Sequence, residues 1–422
     1  VSAGGTVVEN FGVGSSVTIA NNTVSFTPTA NLEGDTVYHI SYPSGAFTNT
    51  GGDVSYVGTA YTFDTRALVS GLWNWGEDEA GQVYSVPYTG DNYSSPIQIP
   101  GTNWAKYVSG GSKTMAAIKT DGTLWTWGRN LYGQTGHNNT TGGSTGISSP
   151  TQVPGTTWNY VITNARSMGV KTDGTLWSWG FNNFGALGLN QANGGSISSP
   201  TQIGSETTWT TKFTTSGAYT AGVIKTDGTL WMWGLNGAGQ LGQGNTTKYS
   251  SPVQVPGTTW AAIDCSSDVA KATKTDGTLW AWGENGQGHL GQNDKTDYSS
   301  PRQVGSGTDW STDIRKVGSS LCIKTDGTLW GLGQNHRGQL AQNNTNDGYS
   351  SPVQIPGTNW QYVRGQGASK TDGSLWFWGQ NDSGQLGDNT NVWRSSPVQV
   401  PGTWDVSNVI NKDSGRGAFK DS

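Results

Sequence analysis

The chain has 422 residues with only 13% charged and a formal net charge of −5. That is about half the usual ~25% charged content. No basic field exists to neutralise a phosphate backbone, so nucleic-acid binding is excluded as a main role. Glycine supplies 64 residues and tryptophan 21; a chain this rich in aromatics can bury enough apolar surface to order itself, and no apolar run reaches the about 20 residues of a membrane-spanning helix.

Residues 1–66 contain no Trp and alternate as strands do, in VTIANNTVSFTP, DTVYHISYP and GTAYTFDT. Asn21-Asn22 is read as a turn between two of these strands. The segment from Leu32 to Thr65 resembles the second half of bacterial immunoglobulin-like domains, which occur in arrays on secreted and surface proteins. Such a sandwich takes about 100 residues, so Val1 is expected to lie inside the domain, or a strand is supplied by another chain.

From residue 67 a repeat governs the sequence. W-x-W-G begins at Trp73, Trp125, Trp177, Trp231, Trp280 and Trp376, and a seventh copy at Trp330 has Leu332 as its second large residue. Each copy is followed by Ser-Ser-Pro, ending at Pro96, Pro150, Pro200, Pro252, Pro301, Pro352 and Pro397, and then by a further Trp. Six copies are preceded by Lys-Thr-Asp-Gly, starting at Lys119, Lys171, Lys225, Lys274, Lys324 and Lys370. Asp-Gly between alternating segments predicts a hairpin turn, with either a two-residue loop or a three-residue loop and a glycine bulge. Trp125 and Trp127 stand two apart and therefore share a strand face. With a strand at P-V-Q-V and another after the next Trp, each unit of roughly 50 residues makes about four strands, the content of a propeller blade.

The chain ends complement each other. Residues 71–76 lack the usual preceding strand, and the final Gly-Ala-Phe-Lys-Asp-Ser matches that strand, with Phe419 and Lys420 at the places of Ile118 and Lys119. One blade is thus expected to be split between the two ends, closing a ring and removing two open sheet edges. The expected architecture is all-β: a closed seven-bladed β-propeller over 67–422 and a small partial sandwich over 1–66. The repeat Trp residues are read as packing between blades, each removing about 150–250 Å² from water.

The repeat resembles the regulator-of-chromosome-condensation type, whose signature G-x-N-x-x-G-Q-L-G follows the W-x-W strand. It stands here at 234–242, 283–291, 333–341 and 379–387, with looser copies at 128–136 and 180–188. The resemblance implies a seven-bladed propeller. The eukaryotic founder is a nuclear exchange factor for a small GTPase, but no insertion resembling its GTPase-facing wedge and no basic tail is found. The near-identical, Trp-rich copies look more like bacterial and phage versions.

Chemistry-bearing motifs are sparse. His39, His137, His289 and His336 show no metal spacing, and Cys265 and Cys322 fall in different repeat registers, which favours free thiols. No nucleophile elbow, phosphate loop or calcium loop occurs. Lys and Asp of Lys-Thr-Asp-Gly recur six times, whereas a catalytic pair need occur once. No enzyme, cofactor or metal is expected. Binding is expected through the long Gly/Asn-rich loops of the first three copies, with Tyr84, Tyr88, Tyr93, Tyr132, Phe184 and the repeat-independent Trp393 as candidate exposed aromatics. The reading is a non-enzymatic extracellular structural or recognition module on a virion or cell surface. Its expected partners are other surface proteins and host-surface glycan, without nucleic acid or membrane insertion. The alternative is an intracellular interaction scaffold or GTPase exchange factor.

Overall fold

The computed structural model describes residues 17–20, 23–26, 37–40, 61–64, 72–76, 78–83, 405–412, 415–419 and 93–401, the last without 112, 142–145, 192–194, 217–218, 267, 319, 383–385 and 389. The chain divides into two compact units, Val1–Ser70 and Gly71–Ser422. In the first, Val17–Ala20 pairs antiparallel with Thr23–Phe26, and Val37–Ile40 with Tyr61–Asp64. The remainder of the immunoglobulin-like expectation lies outside the described residues.

The second unit is built of sequential antiparallel sheets, each a plain meander. The first sheet comprises Trp104–Gly111, Thr114–Lys119, Leu124–Gly128 and Ile147–Gln152. The second comprises Trp158–Thr163, Arg166–Lys171, Leu176–Gly180 and Ile197–Gln202. The third runs from Trp209 to Gln254 and the fourth from Trp260 to Gln303 in the same pattern. The fifth has three strands, Leu321–Ile323, Leu329–Gly333 and Tyr349–Ile355. Its leading strand is reduced to a Trp310–Lys324 bridge and a 3-10 turn at Ile314–Lys316. The sixth runs from Trp360 to Val400. Two hairpins complete the unit: Trp73–Gly76 with Tyr93–Gln98, and Asp405–Lys412 with Gly415–Phe419. Strand Gly415–Phe419 lies alongside Trp73–Gly76, and strand Asp405–Lys412 neighbours both Trp360–Arg364 and Trp104–Gly111. The sheet unit begins at the Trp after Ser-Ser-Pro, so each sheet straddles two W-x-W-G copies.

Period-2 alternation explains how neighbouring sheets stack. In the second strand of the first sheet, Met115 and Ala117 join Trp104 and Trp127 against Leu72 and Ile99. Ala116 and Ile118 point the other way, with Leu124 and Val153, onto Trp158 and Trp179 of the second sheet. The scheme recurs: aliphatic residues of one sheet meet the Trp face of the next, as Leu230, Met232 and Val255 meet Trp260 and Trp282. Among the described residues, the repeat Trp side chains are therefore the filling between sheets. Cys265 and Cys322 are buried.

Polar contacts lock this packing. The buried Trp179 indole Nε1 donates to the Gln134 carbonyl of the preceding sheet at 2.9 Å. Trp127, Trp233, Trp282 and Trp378 do the same to Gln82, Ala186, Gln240 and Gln339. The first glycine of the G-Q-L-G signature sits close under the next sheet: Gly133 has φ +74, and a Cβ there would stand 2.5 Å from Ser198 Cα. That close approach is why Ser-Ser-Pro and Gly recur together. The signature Asn holds the loop from inside, as the Asn236 carboxamide oxygen accepts from Leu241 N at 2.8 Å.

Candidate functional site

The Lys-Thr-Asp-Gly turn is a three-residue loop with a glycine bulge. Ile118 pairs with Leu124, Gly122 N donates to Lys119 O at 2.9 Å, and Gly122 has φ 77. A left-handed residue closing a type I turn is the usual form of such a loop. Asp121 Oδ1 accepts from the Thr123 amide at 2.9 Å and hydroxyl at 2.7 Å, and Thr123 Oγ1 accepts from Trp125 Nε1 at 2.9 Å. Lys119 Nζ sits 5.1 Å from the Trp104 ring centre and 4.1 Å from that of Trp125. The same relay and clamp recur down to Asp372, Ser374, Trp376 and Lys370. The recurrent Lys and Asp are thus engaged in turn formation and cation–π contact, and this hairpin end is nearly uniform around the molecule.

The opposite loops differ from sheet to sheet. Positions of the signature not used by the locks are the residue after W-x-W-G, the residue before the next Gly and the residue before the Ser-Ser-Pro strand. Between the first and second sheets, Tyr132 stacks on Phe181 at 4.4 Å. Between the second and third, Phe184 meets Tyr219 at 5.5 Å, with Lys248 Nζ 4.3 Å from the Phe184 ring. Phe184 holds φ 59, ψ 21, a backbone conformation a bulky residue adopts only under constraint. Tyr219 is 36% exposed. Between the third and fourth, the corresponding loop ends carry Glu284, Asp268 and Asp297. Asp268 accepts from Gln240 Nε2 at 3.1 Å and Asp297 from Asn285 N at 2.7 Å. Burial, then the neighbouring Asp268 and Asp297, push the Glu284 carboxyl above its ordinary value. Between the fifth and sixth, Arg337 lies 5.7 Å from the Trp393 ring, and Trp393 Nε1 donates to Asp382 at 2.6 Å. Lys248 over Phe184 and Trp393 beside Arg337 occupy equivalent positions with cation and ring exchanged.

These contacts place the sequence candidates. Tyr132 and Phe184 are half-buried members of ring pairs, and Trp393 is 43% exposed beside Val392. Tyr84 and Tyr88 lie outside the described residues. Tyr93 opens the Tyr93–Gln98 strand, pairing with Gly76. It shares that register with Tyr249, Tyr298 and Tyr349, whose hydroxyls bond to loop residues such as Asp294 at 2.7 Å. Tyr93 is therefore a repeat tyrosine and not a loop-specific one. Phe181, Tyr219, Lys248, Arg337 and the acidic trio were missed; aligning the copies by their signature would have exposed the first, the fourth and Glu284.

Other polar clusters are interior. Arg166 is buried and donates to Ala186 O at 2.7 Å and to Thr220 O, and desolvation lowers it to about 10. Lys271 is buried near Cys322 and Asp264 and lowered to about 8 by desolvation. A groove of about 440 Å³ runs past Trp209, Trp231, Asn190 and Glu206. Its polar groups are already engaged, Glu206 by Lys225 and Asn190 by Ser251. Among the described residues no group of three His, Cys, Asp or Glu converges as metal ligands.

A family model described as Regulator of chromosome condensation (RCC1) repeat matches residues 121–165, 173–222, 227–270, 276–319 and 372–412, more than half of the chain. A second model of that description matches 105–134. The RCC1 domain-containing protein RUG3, mitochondrial, of Arabidopsis thaliana is 28% identical over 211 residues, 48% of this chain and 47% of that protein. The chain thus spans about half the length of that relative. The crystal structure of human WBSCR16 is similar with a TM-score of 0.69 at 19% identity, over 83% of this chain and 100% of that one. That of Prp20p from Saccharomyces cerevisiae, described with its binding properties to Gsp1p and histones, gives 0.67 at 15% identity, over 83% and 92%. At these identities the structures share the fold.

Proposed function

Since the chain belongs to the regulator of chromosome condensation (RCC1) repeat family, we propose that it is a non-enzymatic protein-interaction module: seven blades closed into a ring, with its variable loop face as the contact surface. The observation that carries the reading is the distribution of variation. The hairpin end repeats one Lys–Trp–Thr–Asp device, while the opposite loops place Tyr132, Phe181, Phe184 and Tyr219 side by side. Exposed rigid aromatics are the usual anchors of protein contacts. Ring closure is supported by strand Asp405–Lys412 lying between the sixth and first sheets. Prp20p, whose structure is described with binding to Gsp1p and histones, supports protein partners over the virion or surface-glycan setting. For residues 1–66 the proposal is an immunoglobulin-like fragment, on the strength of its two hairpins.

The test compares proteins retained from the source lysate by the full chain, by a Tyr132→Ser/Tyr219→Ser variant and by Glu206→Gln at the distant groove. Partners lost only in the first variant are expected. Retention unaffected by it, or glycan-array binding without protein capture, overturns the reading. A nucleotide-exchange assay with small GTPases, repeated with the same variants, separates the exchange-factor form from a scaffold.

A further inference from the structure

We infer that the partner presents a cationic polypeptide segment, whose Arg or Lys side chains engage the Glu284–Asp268–Asp297 trio while its backbone crosses the neighbouring Phe184–Tyr219 and Tyr132–Phe181 platforms. The inference rests on the loop face being the contact surface and names the chemistry of what it contacts.

Three observations converge. The first is continuity. Tyr219 and Asp268 hold the same place, immediately before the second strand of adjacent sheets at Thr220 and Val269. Phe181 and Glu284 likewise hold the same place after W-x-W-G. The aromatic strip therefore runs into the acidic trio along one face. The second is charge. Glu284 and Asp268 are half-buried and Asp297 is exposed. Glu284 N donates to Asp268 O at 2.8 Å, so the acids are held together by the loop backbone. Partial burial, then the neighbouring Asp268 and Asp297, raise the Glu284 carboxyl, and a positive charge placed beside the three acids would offset that cost. The cations facing this stretch are Lys248, set over Phe184, and the exposed Lys295 two residues before Asp297. The third is shape. The carboxylates do not converge as metal ligands, which disfavours a bare ion and suits a long, multiply donating guanidinium or ammonium. Aromatic faces beside the acids attract the same cations.

The experiment titrates the full chain against fluorescent peptides of alternating Arg and Gly, of alternating Glu and Gly, and against spermine. The Arg peptide is expected to bind saturably and to weaken with added salt. Glu284→Gln/Asp297→Asn should weaken it about tenfold, Phe181→Ser/Tyr219→Ser about fivefold, and Glu206→Gln not at all. Circular dichroism and thermal melts confirm that each variant is folded. Equal binding of both peptides overturns the inference, as does an equal loss in Glu206→Gln. Spermine binding as tight as the peptide and indifferent to Phe181→Ser/Tyr219→Ser overturns the polypeptide assignment. Failure of the Arg peptide together with loop-dependent partner capture removes only this inference; failure of both removes the proposed function as well.

Discussion

At the residue scale the repeat spends each side chain on a defined contact, so single changes have unequal costs. Trp179→Phe removes the 2.9 Å indole donor to the Gln134 carbonyl, which keeps the Ser167 hydroxyl at 2.7 Å, and unfolding by urea should report a loss of about 1–3 kcal/mol from one bond and the lost packing. Trp177→Phe loses a half-buried bond to Thr175, and about 1 kcal/mol is expected. Gly133→Ala should cost about 2 kcal/mol or more, because its Cβ meets Ser198 backbone and its φ is left-handed. Gly195→Ala, with open space around it, should be close to neutral by the same measurement. The hairpin aspartates add a pH term. Bonds from the Thr175 hydroxyl, then the Thr175 amide, hold Asp173 below the usual carboxylate range, and Asp121, Asp227, Asp276, Asp326 and Asp372 behave alike. A carboxylate with a depressed folded pKa stabilises the fold above the unfolded value of about 3.9 and loses that contribution as pH falls through the folded value. Urea midpoints should therefore drop on acidification below about pH 4, and less steeply for Asp173→Asn.

At the element scale the fourth–fifth interface departs from its neighbours. Leu332 replaces the Trp that elsewhere donates to the preceding sheet, His289 replaces the signature Gln, and the fifth sheet has three strands. Strand Leu321–Ile323 is expected to exchange its amides faster than Thr220–Lys225, since fewer contacts restrain it; equal protection, measured by mass spectrometry, would contradict this. Lys271 faces the same interface, where Ala116, Met168 and Gly222 stand in earlier sheets. Desolvation lowers it to about 8. Between about pH 8 and its unfolded value of about 10.4 the unfolded chain binds more protons, so Lys271 makes stability rise with pH. The Cys322 thiol, raised by burial, acts in the opposite sense. In a Cys322→Ala background the alkaline rise should appear, and Lys271→Met should abolish it.

At the scale of the whole molecule, the proposed ring closure depends on the segment 405–419. Hairpin 405–419 reaches the sixth sheet, the first sheet and strand Trp73–Gly76. Deleting 405–422 strips the neighbouring strand from Trp73–Gly76, Trp104–Gly111 and Trp360–Arg364. A fall in melting temperature of more than about 5 °C is expected, together with a broader transition. An unchanged, equally cooperative melt would show that closure contributes nothing to stability.

Repetition made the all-β architecture, the hairpins and the buried role of Trp legible in the sequence. A residue type that recurs seven times at one register is under a packing constraint, and strand alternation states which face it serves. The turn form, left open between two and three loop residues, required the Gly122 backbone. The loop lock required a second sheet, because an indole bonding to a carbonyl about 45 residues away leaves no local signal. The proposed interaction face was legible only in part. Tyr132, Phe184 and Trp393 stand out as aromatics, but Tyr93 looks alike in sequence and is a strand tyrosine. Asp268 and Glu284 are ordinary loop acids until Val269 pairs with Gly283 across neighbouring strands and brings them together. Sequence alone determined which residues repeat and therefore build the fold. Tertiary structure alone decided which of the unrepeated residues share a surface, because that depends on contacts between sheets, not on order along the chain.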